Sequence, residues 1–96
     1  MNATVRQAIE ERRVIELRYH GYSRIVEPHI YGLDRHGDEV VRCYQLAGGS
    51  ESGEHAGWKL LKLKDALVVY LAETRFEPRP EYQREDKVVR QVFRAV

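Results

Sequence analysis

Apolar and polar positions change period along the chain, and each period implies an element. Over 4–13, Val5, Ala8 and Ile9 recur at helical spacing with Arg12 on the same face, which predicts a short helix. Thr4 followed by Gln7 fits a capping box, with Asn2 as the competing cap. From Val14 the period drops to two. Ile15, Leu17 and Tyr19 alternate with Glu16 and Arg18, which predicts a half-buried strand over 14–19. After a turn at His20-Gly21-Tyr22-Ser23, a second strand is expected over 24–33, with Val26, Pro28 and Ile30 on one side. Pro28 has no N–H for a ladder, so the strand should lie at an edge or bulge there. A polar turn at 34–38 leads to a third strand over 39–47. It is apolar on both faces and therefore central.

A Gly/Ser-rich connection at 48–57 precedes a fourth strand over 58–63. Lys64-Asp65 makes a bend, and a fifth strand covers 66–72. The stretch 75–82, carrying Pro78 and Pro80, reads as irregular. Beyond it, Asp86 as N-cap and a stripe of Val88, Val89, Val92, Phe93 and Val96 predict a terminal helix. That helix either packs on the rest of the chain or pairs with a second copy. The expected fold is mainly β: a small five-stranded barrel with a helix at each end.

Composition narrows the function classes. The 96 residues fit one domain, and 43% hydrophobic content argues against disorder. Sixteen basic and 15 acidic residues give a net charge of +1, so any basic site must arise from local clustering. Cys43 is the sole cysteine, which excludes an internal disulfide and fits a reducing compartment. The first residues carry no apolar run like a signal peptide, and no stretch is long enough to cross a bilayer, so a cytoplasmic location is expected.

Several residues invite chemistry and return a structural reading. His20, His29, His36 and His55 match no metal-ligand spacing, so no metal is expected. Cys43 lies mid-strand between apolar neighbours, where cysteine behaves as a small buried hydrophobe rather than a nucleophile. Glu10 and Glu11 are adjacent on a helix and point apart. Ser50 and Ser52 could help a loop cradle an anion, but no phosphate-loop Lys-Ser or Lys-Thr follows them. Trp58 reads as a core anchor. Charges of both signs interleave over 73–94, as on a salt-bridged surface.

Taken in order, Ala8-Ile9-Glu10-Glu11-Arg12-Arg13, Ile15-Glu16-Leu17-Arg18-Tyr19, Arg24-Ile25-Val26-Glu27-Pro28-His29, Cys43-Tyr44-Gln45-Leu46 and Trp58-Lys59-Leu60-Leu61-Lys62-Leu63 resemble the WYL domain, a bacterial module. The resemblance covers 5–76 and leaves 77–96 as a C-terminal extension. Cys43 stands at the naming tryptophan, Lys59 and Lys62 replace arginines, and Asp65 stands where many members carry another. The resemblance implies an Sm-like barrel that binds nucleic acid or a nucleotide-like ligand and regulates transcription or defence. The family's usual N-terminal helix-turn-helix would sit on another chain.

The candidate site is Arg24, His29, Tyr44, Lys59 and Lys62, cations for phosphate around a ring for base stacking. The competing reading is a solvated charged face beside a core tyrosine. The expected function is regulatory binding of single-stranded nucleic acid or a nucleotide-type ligand, without catalysis or cofactor. The alternative is an assembly subunit acting through barrel edges or the terminal helix. A homodimer or a DNA-binding partner chain would fit either reading.

Overall fold

A computed structural model describes residues 1–96, the side chain of Val68 excepted. Helix α1 (Ala3–Glu11) is capped by Asn2, whose side chain accepts from the Val5 N–H at 3.0 Å, so the competing cap prevails over Thr4. Its buried residues Val5, Ala8 and Ile9 are those the periodicity selects. Arg12 ends the helix in the left-handed region at φ 52°. Strands β1 (Arg13–Tyr19) and β2 (Tyr22–Leu33) follow, joined through His20 and Gly21. Both turn residues have positive φ, 49° and 81°, the geometry that matches a tight hairpin to the strand twist.

The remaining strands are β3 (Glu39–Gly48), β4 (Gly57–Lys62), β5 (Ala66–Arg75) and β6 (Gln91–Ala95). A 3-10 turn (Leu63–Asp65) occupies the predicted bend before β5. They form one six-stranded antiparallel sheet, ordered β4-β3-β2-β1-β5, with β6 also on β2. β3 is internal, as its two apolar faces predict.

β2 organises the molecule. One edge pairs with β3 from Arg24 to Leu33. The other pairs with β1 only as far as Val26 and with β6 only from Ile30. Pro28 falls in the gap between those partners. The β3 ladder shifts register between Pro28 and Ile30, the expected bulge.

The C-terminal helix is not formed, and the chain there adopts β6 instead. Asp86 still collects free N–H groups, accepting from Val88 at 2.9 Å and Val89 at 3.4 Å. The apolar stripe is then divided. Val89 packs with Ile30 and Val40, Phe93 meets Tyr31 edge-on, and Val96 joins the main core. β6 lies close because Gly32 has no side chain; a Cβ there would be 2.0 Å from the Gln91 carbonyl oxygen.

One sheet face carries the main core, and the other is covered in part. The inward residues of β3, Val41 and Cys43, share the main core with α1, β1 and Leu61. The opposite face, with Val40 and Leu60, is covered by the irregular segment 76–90 through Tyr82 and Val89. Burial of this kind stabilises by roughly 25 cal/mol per Å² of apolar surface.

Candidate anion-binding site

Side chains alternate across a strand, so register decides which of the predicted residues can meet. Lys59 pairs with Cys43, and Trp58 with Tyr44. Cys43, Gln45 and Lys59 therefore share one face, and Tyr44 and Trp58 share the other. The Arg24 guanidinium reaches Gln45, which places it on the Cys43 face. The five candidates do not converge. Arg24 and Lys59 lie on one side of the sheet, Tyr44 and His29 belong to the other, and Lys62 stands apart on Asp38 at 3.4 Å.

Arg24 is the anomaly. It is 4% exposed and has no carboxylate within salt-bridge distance. Its sole hydrogen bond is a long one, 3.4 Å from a terminal N–H to Gln45 Oε1, and its Nε is buried without a partner. The cation lies 5.1 Å from the Tyr19 ring centre and 5.9 Å from that of Tyr22. Ring faces recover part of the cost of removing a cation from water, about 1–2 kcal/mol, and leave the rest outstanding. A concavity of about 360 Å³ at this end of the sheet is lined by Glu16, Arg18, Ser23, Ile25 and Tyr70, whose side chains alternate to the face opposite the Arg24 guanidinium. Arg18 likewise has a carbonyl partner, Gly21, and no carboxylate. Glu16 on the same rim is bonded by the Tyr70 hydroxyl at 2.5 Å.

A polar chain extends from Arg24. Gln45 donates to the carbonyls of Gly49, 3.2 Å, and His55, 3.1 Å. Lys59 Nζ donates to Ser50 Oγ, Ser52 Oγ and the Glu54 carbonyl at 3.0–3.5 Å. The amide and the ammonium thus hold the 49–56 loop over this end of the sheet, and no carboxylate neutralises Lys59. Gly48, at φ 106°, runs so close to β2 that a Cβ would meet the Ser23 carbonyl oxygen at 2.1 Å.

The second cluster is structural. His29 is fully buried against Trp58, Phe76 and Tyr82. Its Nδ1 lies 2.8 Å from the Glu27 carbonyl oxygen, and its Nε2 accepts from the Arg79 N–H at 3.2 Å. Arg79 pairs with Glu27 through Nε at 2.8 Å and NH2 at 3.3 Å, and lies 3.8 Å over the Tyr44 ring. The ring face expected to stack a base is therefore already occupied. Nothing local marks Arg79 or Glu27, because the pairing spans 52 residues. Gln45, a lone amide among inward apolar positions, is a signal that sequence reasoning could have used.

His29 must stay neutral to donate from Nδ1 and accept at Nε2, and burial pushes its pKa below 6.5. The unfolded chain binds this proton more readily than the folded one, so stability falls as pH drops through 6.5. Thermal melts of the wild type are expected to lose stability between pH 7.5 and 5.5, with a shallower dependence in His29→Gln. Equal slopes would contradict this assignment.

Cys43 is fully buried and burial pushes its thiol up to about 12, so no thiolate nucleophile exists near neutral pH. Among the described residues no cluster of three or more His, Cys, Asp or Glu is placed to hold a metal, and no helix is long and apolar enough to cross a membrane. No family model, curated protein or solved structure matches the chain.

Proposed function

We propose that the protein is a non-enzymatic regulatory module that binds nucleic acid or a nucleotide-type ligand by a phosphate group at Arg24. The observation that carries this reading is a buried guanidinium with no carboxylate partner among the described residues and an orphaned N–H. Buried charges are ordinarily paired, and an arginine fork presents the donors that phosphate oxygens accept. Lys59 adds positive charge on the Arg24 side of the sheet. Tyr22, 41% exposed and next to Arg24, offers a face to a base.

The strand order β4-β3-β2-β1-β5, open between β4 and β5, is read as that of an Sm-like barrel augmented by β6, in keeping with the resemblance to WYL domains. This reading retains Arg24 and Lys59, and assigns His29, Tyr44 and Lys62 to structure. The test is equilibrium binding of a nucleoside monophosphate and a short single-stranded oligonucleotide at low salt. Arg24→Ala is expected to weaken both by at least tenfold. Absence of binding by the wild type, or an unchanged affinity in the variant, would sink the proposal.

A specific observation favours a second reading. Leu67 is 77% and Tyr70 53% exposed on β5, the end strand of the main path, as an assembly surface would require. Sedimentation showing a concentration-dependent dimer that Leu67→Lys abolishes, with no phosphate binding, would favour assembly.

A further inference from the structure

The concavity of about 360 Å³ lies on the face opposite the Arg24 guanidinium, so a phosphate bound to that cation would not fill it. Its floor is a ladder of two rows. In the first, Glu16 of β1 stands between Ile25 of β2 and Tyr70 of β5. In the second, Arg18 stands opposite Ser23 of β2. On β5, two residues, 67 and 68, fill the single step between the Leu17–Val69 and Tyr19–Ala66 pairs. That extra residue is a bulge on an end strand, and Leu67 within it is 77% exposed. Tyr70, in the first row, is 53% exposed.

The two charges on this face do not satisfy each other. Glu16 and Arg18 sit two positions apart on one strand and share its outer side, with α carbons roughly 7 Å apart. Among the described residues neither forms an ion pair. Arg18 donates to the Gly21 carbonyl at 3.1 Å, and Glu16 accepts from the Tyr70 hydroxyl. The next groups along β1 do not serve them: His20 lies 3.5 Å from both Glu51 and Asp65. One cation and one carboxylate are thus left without an opposite charge beside exposed apolar surface.

This pattern is complementary to itself. A two-fold axis in the plane of contact, running across the strands at Leu17, reverses β1 and lays the first row of one copy on the second row of the other. Glu16 then meets the second copy's Arg18, Tyr70 meets its Leu67, and Ile25 meets its Ser23. Each contact occurs twice, as an isologous interface requires. Sheets packed face to face lie about 10 Å apart, a gap that an arginine and a glutamate reaching from opposite sides can close. We infer that the outer face of β1, β2 and β5 binds a second copy of this chain about that axis. This rests on reading Leu67 and Tyr70 as an assembly surface, and adds the partner and its register. The Arg24 guanidinium faces the other way, so such a dimer does not cover it.

Sedimentation equilibrium over a concentration series, at low and high salt, compares the wild type with Arg18→Glu, Glu16→Arg, Glu16→Arg/Arg18→Glu and Leu67→Lys. The wild type should show a monomer–dimer equilibrium that weakens with salt. Each single reversal sets like charges against each other on both sides of the axis and should weaken association roughly tenfold or more. An equimolar mixture of the two single variants restores both opposite-sign contacts in a mixed dimer, and the double variant restores them in a dimer of its own. Both should associate as the wild type does. Misfolded chains would not recover on mixing, so recovery reports the register. A wild type that stays monomeric throughout overturns the assembly surface and the two-fold together. A dimer abolished by Leu67→Lys but unaffected by either charge reversal keeps the surface and overturns the two-fold at Leu17. Single variants that remain monomeric when mixed also overturn it.

Discussion

Arg79→Ala is expected to destabilise the protein by about 3–5 kcal/mol, the usual cost of stranding one member of a buried ion pair. For a domain of this size that lowers Tm by more than 10 °C. The two partners are not equivalent. The Glu27 side chain is 8% exposed and that of Arg79 is 30% exposed. Removing Arg79 leaves a carboxylate buried without its fork, whereas removing Glu27 leaves a guanidinium that can turn to water. Glu27→Ala should therefore cost less, about 2 kcal/mol after allowing for solvent at Arg79. The double variant Glu27→Leu/Arg79→Met should recover most of the loss. Calorimetry on the four proteins decides it. If both single variants melt within 2 °C of the wild type, the pair does not hold segment 76–90 on the sheet.

That segment is also where sequence and structure part. β1 is legible from local alternation and β3 from its two apolar faces, and the predicted bounds of both differ from the observed ones by one residue each. Pro28 marks its bulge because the missing N–H is a property of the residue itself. The spacing of Val88, Val89, Val92, Phe93 and Val96 suits a helix face equally well. What decides for β6 is an unfilled edge of β2 some 60 positions upstream, with Gly32 there to admit it. Local pattern carries no record of that edge. The same limit applied to the site. Arg24 was identifiable as a cation within a strand. Whether it meets Tyr44 depends on the β2–β3 register, which shifts between Ile25 and Val26 and again between Pro28 and Ile30.

Arg24→Met should separate binding from stability. A cation that served the fold would be paired, and its removal would cost about 3–5 kcal/mol. Arg24 has no such partner. Its loss leaves Gln45 Oε1 without a donor, about 1–3 kcal/mol, and gives up its contacts with Tyr19 and Tyr22, about 1–2 kcal/mol. Against these stands the relief of a desolvated charge, several kcal/mol. The opposing effects are of similar size, so Tm should move by less than about 5 °C in either direction. Phosphate affinity should fall at least tenfold, because methionine retains the volume and no donor. Adding Gln45→Leu removes the stranded oxygen and should raise Tm above that of Arg24→Met alone. A methionine variant that melts 15 °C lower would make Arg24 a structural residue, and the unpaired guanidinium would no longer point to a ligand. A variant that keeps its fold and loses the anion would show a charge held in place for a partner outside the chain.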